Sequence, residues 1–283
     1  MEGDTSEIRL IVAGRRKPGM TRREFADHRY LVHAAVTGGA GKLLNPTLYS
    51  QNHVLDSALG APAGTPNLNH PWLVGQESIT ELDFRDGQHL KNYFNSDHVR
   101  DVVALDTPVF ADFGGLIWMV STRARHVTSG NRSPGDDQEA IRGQELNGFD
   151  AFYFLAAPTT AEVSPLPSEL LDQIFSRFSD ENMLEDVLTA ELFTWLPEYD
   201  LTSYFGSGTN EVPKYSAVIK LHFCNKSSFL KVRDAQLRIE NESWFSKAFD
   251  LSKSFIALSQ GQVVFTTAKE FDPDAKPNWD MLF

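Results

Sequence analysis

From Ile8 to Ala13 the chain runs through a β-branched apolar segment that stops at Gly14, which predicts a strand over 7–14 covered on both faces. Pro18 and Gly19 then turn the chain. Thr21 is placed as a helix N-cap, and Glu24, three residues on, can reach back to the cap's own N–H. Over the predicted helix 21–37, with about 100° per residue, Phe25, Val32 and Val36 fall on one narrow apolar stripe. The same patterning predicts strands near 45–56, 72–83 and 115–123, with helical segments over 86–104. The order is βαββαβ.

A polar stretch between Arg125 and Gly148, rich in Ser, Gly, Asn and Asp, has the composition of a linker. It divides the chain into 1–125, a connecting 126–147, and 148–283. The second part repeats the plan. Phe149 to Ala157 reads as a strand, Pro167 to Phe178 as a helix, and Glu185 to Tyr199 as an extended segment in which Leu188 to Leu196 also suits a helix. A strand follows at Tyr215 to Phe223, then helices from Ser227 to Phe249 and a last strand from Phe255 to Thr267.

Residue echoes support a duplication. Leu82, Phe84 and Asp86 match Leu221, Phe223 and Asn225, each set ending a strand at a helix-capping side chain. Phe110 and Gly115 echo Phe255 and Gly261 with a one-residue difference in spacing. Each βαββαβ unit leaves one sheet face bare, and pairing the two bare faces buries both. The expected fold is α+β: two ferredoxin-like units forming a pseudo-dimeric α/β barrel within one chain.

Composition narrows the function classes. The 283 residues are 41% hydrophobic and include 20 Phe, enough for a substantial core, and the net charge of −12 with no aromatic-interleaved basic patch argues against nucleic acid. The single Cys224 excludes an internal disulfide and a Cys-based zinc site, and no apolar run approaches the roughly 20 residues of a membrane span. The acidic start lacks the character of a signal peptide, so a cytoplasmic protein without a membrane partner is expected.

The run Lys17-Pro18-Gly19-Met20-Thr21, Phe25, His28, His33-Ala34, followed by Ser96-Asp97-His98-Val99-Arg100, Asp106, Phe110 and Asp112, resembles the EthD domain of the dimeric α/β-barrel superfamily. The likeness covers about 7–123. Ala35 stands where that family usually has proline, and the tandem second half is a further departure, since many EthD proteins are single units that pair as homodimers. Fungal proteins resembling this chain belong to polyketide pathways, so the resemblance implies a dehydratase, decarboxylase or cyclase of secondary metabolism.

Neutral histidine is the natural base for moving protons on a phenol, a β-hydroxyketone or an enol. His33 is the first choice, with Arg29 and Tyr30 beside it on the helix. His98 is the second, with Asp106 as an acceptor for a ring N–H, and His28 the third. Each also suits a packing role. His28 and His33 lie about 140° apart on a regular helix, which excludes a shared metal. The helix 168–178 carries no histidine, so a site built on His33 exists once per chain.

On the second strand Tyr49, Gln51 and His53 share a face, which lines a ligand cavity or meets solvent. Phe25, Phe84, Phe94, Phe110 and Trp118 are candidates for the apolar wall of a site for a flat substrate. Other chemistries lack support. Gly38 to Gly41 follows a helix and reads as its stop, Gly206-Ser207-Gly208 falls short of a nucleophile elbow, and His222 with Cys224 lacks a third ligand. The reading is a cofactor-independent, metal-free enzyme acting on an aromatic or polyketide-derived molecule, with His98 or a tyrosine as proton donor. Its alternatives are a cofactor-free monooxygenase and a non-catalytic binding or assembly protein. The chain is expected as a monomer or as a homo-oligomer of pseudo-dimeric chains.

Overall fold

The computed structural model describes residues 7–59, 75–128, 148–158, 166–180, 187–205, 214–223 and 225–279. The Gly60 to His70 loop, most of the connecting stretch, Gly206 to Gly208 and Cys224 lie outside them. Among the described residues eight strands form where the apolar and β-branched runs predict: β1 Ile8–Gly14, β2 Leu48–Leu59, β3 Ser78–Phe84, β4 Ile117–Thr128, β5 Phe149–Ala156, β6 Thr189–Trp195, β7 Tyr215–Phe223 and β8 Phe255–Thr266. β6 settles Leu188 to Leu196 as extended, and β4 runs three residues past 125.

All strand pairs are antiparallel, and they close in the order β1-β3-β2-β8-β5-β7-β6-β4. Each half contributes a four-stranded sheet in the ferredoxin-like order, joined through β2 to β8 and through β4 to β6. Among the described residues, closure leaves no sheet edge for a second chain to extend. The internal duplication read from the sequence therefore has a physical counterpart.

Register aligns the halves residue by residue. Ile8 faces Phe84 as Phe149 faces Phe223, which makes Arg9, Val12 and Gly14 the counterparts of Asp150, Tyr153 and Leu155. The Phe84/Phe223 echo holds, with Asp86 and Asn225 each capping the following helix. The Gly115/Gly261 echo does not. Ser121 pairs with Arg9 and Ser259 with Asp150, so the equivalent strand positions are Ser121 and Ser259.

Helices cover the outside. In the first half they are α1 (22–37), α2 (Gly87–Phe94) and α3 (99–110); in the second, α4 (Ser168–Asp180), α5 (Thr202–Phe205), α6 (Lys226–Glu240) and α7 (Ser243–Ala248). The described residues pack into three cores: one between sheet and helices in each half, and one inside the barrel around Ile11, Phe152, Phe154 and Phe193. The chain after β8 folds back across α1. There Trp279 Nε1 donates to Asp27 at 2.6 Å, Tyr30 donates to the Asp272 carbonyl at 2.8 Å, and Lys276 pairs with Asp27.

One end of the barrel interior is charged. Arg9 forks onto Asp83 at 2.5 and 2.7 Å and reaches Glu81 at 2.8 Å, and Lys220 meets Glu81 at 2.7 Å. Counterparts carry opposite charge: Arg9 against Asp150, and Glu81 against Lys220. Burial would lower the Lys220 ammonium, but the charges of Asp150 and Glu81 outweigh it and hold it above its ordinary range.

α1 departs from a regular helix. The capping box at Thr21 and Glu24 forms as predicted. From His28 to His33, however, the chain makes a π turn, with the Ala34 N–H bonded to the Arg29 carbonyl five residues back. α3 carries a second π turn, with Ala104 bonded to Val99. Widening the turn brings residues five apart to nearly the same face. The 140° separation expected for His28 and His33 therefore does not occur.

Candidate active site

Both histidines converge on Asp106. His28 Nε2 lies 2.8 Å from one carboxylate oxygen and His33 Nδ1 lies 2.8 Å from the other. An ionised carboxylate only accepts, so each of these ring nitrogens is the protonated one, and the lone pair of His33 is left on Nε2. Phe110, one turn beyond Asp106 on α3, packs against both rings, its centroid 5.1 Å from His28 and 4.8 Å from His33. The π turn in α1 and the Asp106-to-Phe110 spacing in α3 thus build the cluster together.

Electrostatics sets the resting state. Burial alone would push the Asp106 carboxyl up, but the hydrogen bonds from His33 and His28 prevail and hold it below the ordinary carboxylate range. Burial lowers His33 below its ordinary value despite the opposing pull of Asp106. At neutral pH His33 is an uncharged imidazole held by an anion, which is the condition of a general base.

A cavity of about 70 Å³ lies beside this cluster, between the outer face of the first sheet and its helices. His33, Arg29, Phe25 and Thr37 of α1 line it, with Thr107 and Phe110 of α3, Tyr93 and Phe94 of α2, and the strand residues Val12, Gly14, Ser78, Thr80 and Leu82. Tyr204 and Phe205 of α5 complete the wall from the second half. Burial raises the Tyr204 phenol to about 12, so it stays protonated, and its oxygen lies 3.5 Å from Thr107 Oγ1.

Not every residue predicted from sequence reaches this place. His33, Asp106, Phe25, Arg29, Phe94 and Phe110 belong to the cavity or its histidine cluster, and His28 braces Asp106 from outside the cavity wall. His98 is elsewhere. Its Nε2 donates to the Val36 carbonyl at 2.7 Å, pinning the last turn of α1, and Asp106 serves His28 and His33 instead.

The polar face of β2 meets neither solvent nor the cavity wall. Gln51 donates to the Arg29 carbonyl at 2.8 Å and to the Tyr49 hydroxyl at 2.7 Å, and His53 packs edge-on against Trp279 at 4.6 Å. Tyr30 is engaged with Asp272. Phe84 belongs to the core, while Trp118 stacks on Phe205 behind the wall at 5.7 Å.

Sequence reading missed the lining from β1 and β3 and the two aromatic residues of α5. The strand signal was present as small or short side chains at alternate positions, Val12 and Gly14, then Ser78 and Thr80, on faces otherwise filled with large residues. α5 lies in the connection from β6 to β7 and carries no periodic signal. Among the described residues no group of three or more His, Cys, Asp or Glu side chains is arranged to hold a metal ion. No helix among them is long and apolar enough to cross a membrane.

Residues 17–114 match the EthD domain family, a span that contains α1, α3, Asp106 and both histidines. No curated protein matches the chain significantly in sequence. Two solved structures share the architecture across nearly the whole chain. A candidate monooxygenase from Fusobacterium nucleatum is 11% identical, with a TM-score of 0.50, covering 93% of this chain and 95% of its own. An anthrone oxidase-like protein is 10% identical, with a TM-score of 0.50, covering 92% and 94%. At such identities the likeness establishes the fold.

Proposed function

We propose that the protein is an enzyme that abstracts a proton from a small aromatic or polyketide-derived substrate, with His33 as base and no cofactor in that step. The observation that carries this reading is the His33–Asp106 pair on the wall of a largely apolar, aromatic-lined cavity. Asp106 fixes the ring so that Nε2 takes the proton, and it stabilises the imidazolium that forms. Tyr204, protonated across the neutral range, is the donor to a leaving hydroxyl or a carbonyl oxygen, the role for which the sequence offers His98 or a tyrosine. The EthD match over the residues that build the site supports placing this chemistry in secondary metabolism, as dehydration, decarboxylation or cyclisation.

Oxygenation without a cofactor is the second reading, and it starts from the same proton abstraction. It is favoured by the fold shared with a candidate monooxygenase and an anthrone oxidase-like protein. Incubating the purified protein with phenolic and β-hydroxyketone candidates, with and without oxygen, separates the two by product mass. Turnover in the absence of oxygen supports the lyase or cyclase reading, and strict oxygen dependence with a mass gain supports the monooxygenase. Turnover unchanged in His33→Ala removes the assigned base under either reading, and binding without any turnover favours a carrier protein.

A further inference from the structure

The chain buries two arginines in its first half, and it treats them oppositely. Arg9, inside the barrel, is met by three carboxylate contacts from Asp83 and Glu81. Arg29 is only 2% exposed. Its side-chain partners are one hydroxyl, Thr80 Oγ1 at 3.0 Å from Nη2, and the Phe25 ring, 5.4 Å from the guanidinium carbon. Nη1 is buried and makes no hydrogen bond. The nearby titratable groups that act on Arg29, or feel it, are Tyr49, His33 and His53, and none is an anion at neutral pH.

A buried cation without a counter-ion is costly, and a chain that needs only apolar packing there has no reason to keep one. Burial brings this guanidinium down to about 10, the opposite of Arg9. Arg29 lines the same cavity as His33, one turn earlier on α1.

We infer that Arg29 is the oxyanion-binding residue of this cavity, and that the ligand is a planar phenol or enolisable ketone whose conjugate base places its charge on the oxygen held by Nη1. The inference rests on the acid–base reading of the site. When His33 Nε2 takes the proton, the electron pair it leaves is delocalised onto the substrate oxygen, and the charge appears opposite a donor with no other partner. No electron is gained or lost. Preorganised donors of this kind are worth about 10²–10³ in rate.

The test uses 4-nitrophenol, whose ionised form absorbs at longer wavelength and whose free pKa lies near neutrality. Bound to the wild-type protein, its apparent pKa is expected to fall by about one unit or more, a roughly tenfold preference for the phenolate. Arg29→Met should abolish that depression, Arg29→Lys should keep part of it, and His33→Ala should keep it, with circular dichroism confirming folded variants. A bound probe that titrates at its free value in the wild type, or fails to bind saturably, overturns the inference. So does a depression that survives in folded Arg29→Met. Loss of turnover in His33→Ala is read separately, so failure here leaves the assigned base standing.

Discussion

Val12 and Gly14 on β1 hold the register positions that Tyr153 and Leu155 hold on β5, and Ser78 and Thr80 on β3 correspond to Ala217 and Ile219 on β7. In the first half these small side chains leave a cavity under the helices. In the second, Tyr153 fills the same level and its hydroxyl bonds to buried Glu240, which Gln236 also engages at 2.6 Å. Two sheets of one topology therefore divide the work. One keeps a void that costs packing energy and holds a histidine pair, and the other gives up the void for a filled core.

The division is sharpest in catalysis. His33→Ala should lower the rate of any substrate found by about 10²–10⁴-fold, as expected for loss of a general base. Tyr153→Phe, at the equivalent level of the second half, should leave that rate within a factor of about two while costing about 1–3 kcal/mol in urea unfolding, because Glu240 loses its hydroxyl partner. A large activity loss in Tyr153→Phe would break the comparison.

Charge reversal between the halves predicts the next effect. Glu81→Lys places a third cation against Arg9 and Lys220 and should destabilise the barrel by about 3–5 kcal/mol. The double variant E81K/K220E restores one pair and should recover part of that loss. A double-mutant cycle with no coupling would show that the charged end of the barrel does not bind the halves to each other.

Asp106→Asn sharpens the histidine assignment through pH. Because burial sets His33 below its ordinary value of 6.5, kcat/KM should hold above that range and fall as acid protonates the base. Asp106 opposes that lowering, so its removal should move the acid limb to still lower pH while cutting the rate. An acid limb that moves upward would rule out Asp106 as the partner of His33. The smallest effect is expected at Thr21→Ala, about 1 kcal/mol of stability through loss of the capping box.

Much of the fold was legible because strands and caps announce themselves locally. The β-branched runs, the Thr21 and Asp86 caps and the Phe84/Phe223 echo all sit where tertiary packing agrees with local preference. Asp106 and His33 were nameable, yet their partnership was not. A regular helix separates His28 from His33, and only a turn of five-residue hydrogen bonds, which no side chain in the sequence announces, brings them together. The wall from Tyr204 and Phe205 was hidden for a different reason, since it depends on how one half wraps onto the other.

That widened turn also makes helix length a functional variable. Leu31 and Val32, exposed on the outer side of the turn, contribute little to the core. Deleting a single residue there restores the regular hydrogen-bond ladder at small cost in packing, and it leaves the two histidines four residues apart, about 40° around a regular helix and still on one face. Among relatives of this chain, two histidines five apart on a widened turn and two histidines four apart on a regular helix would therefore present the same pair to the carboxylate, whereas five apart on a regular helix would split it. An alignment scored column by column would miss that equivalence.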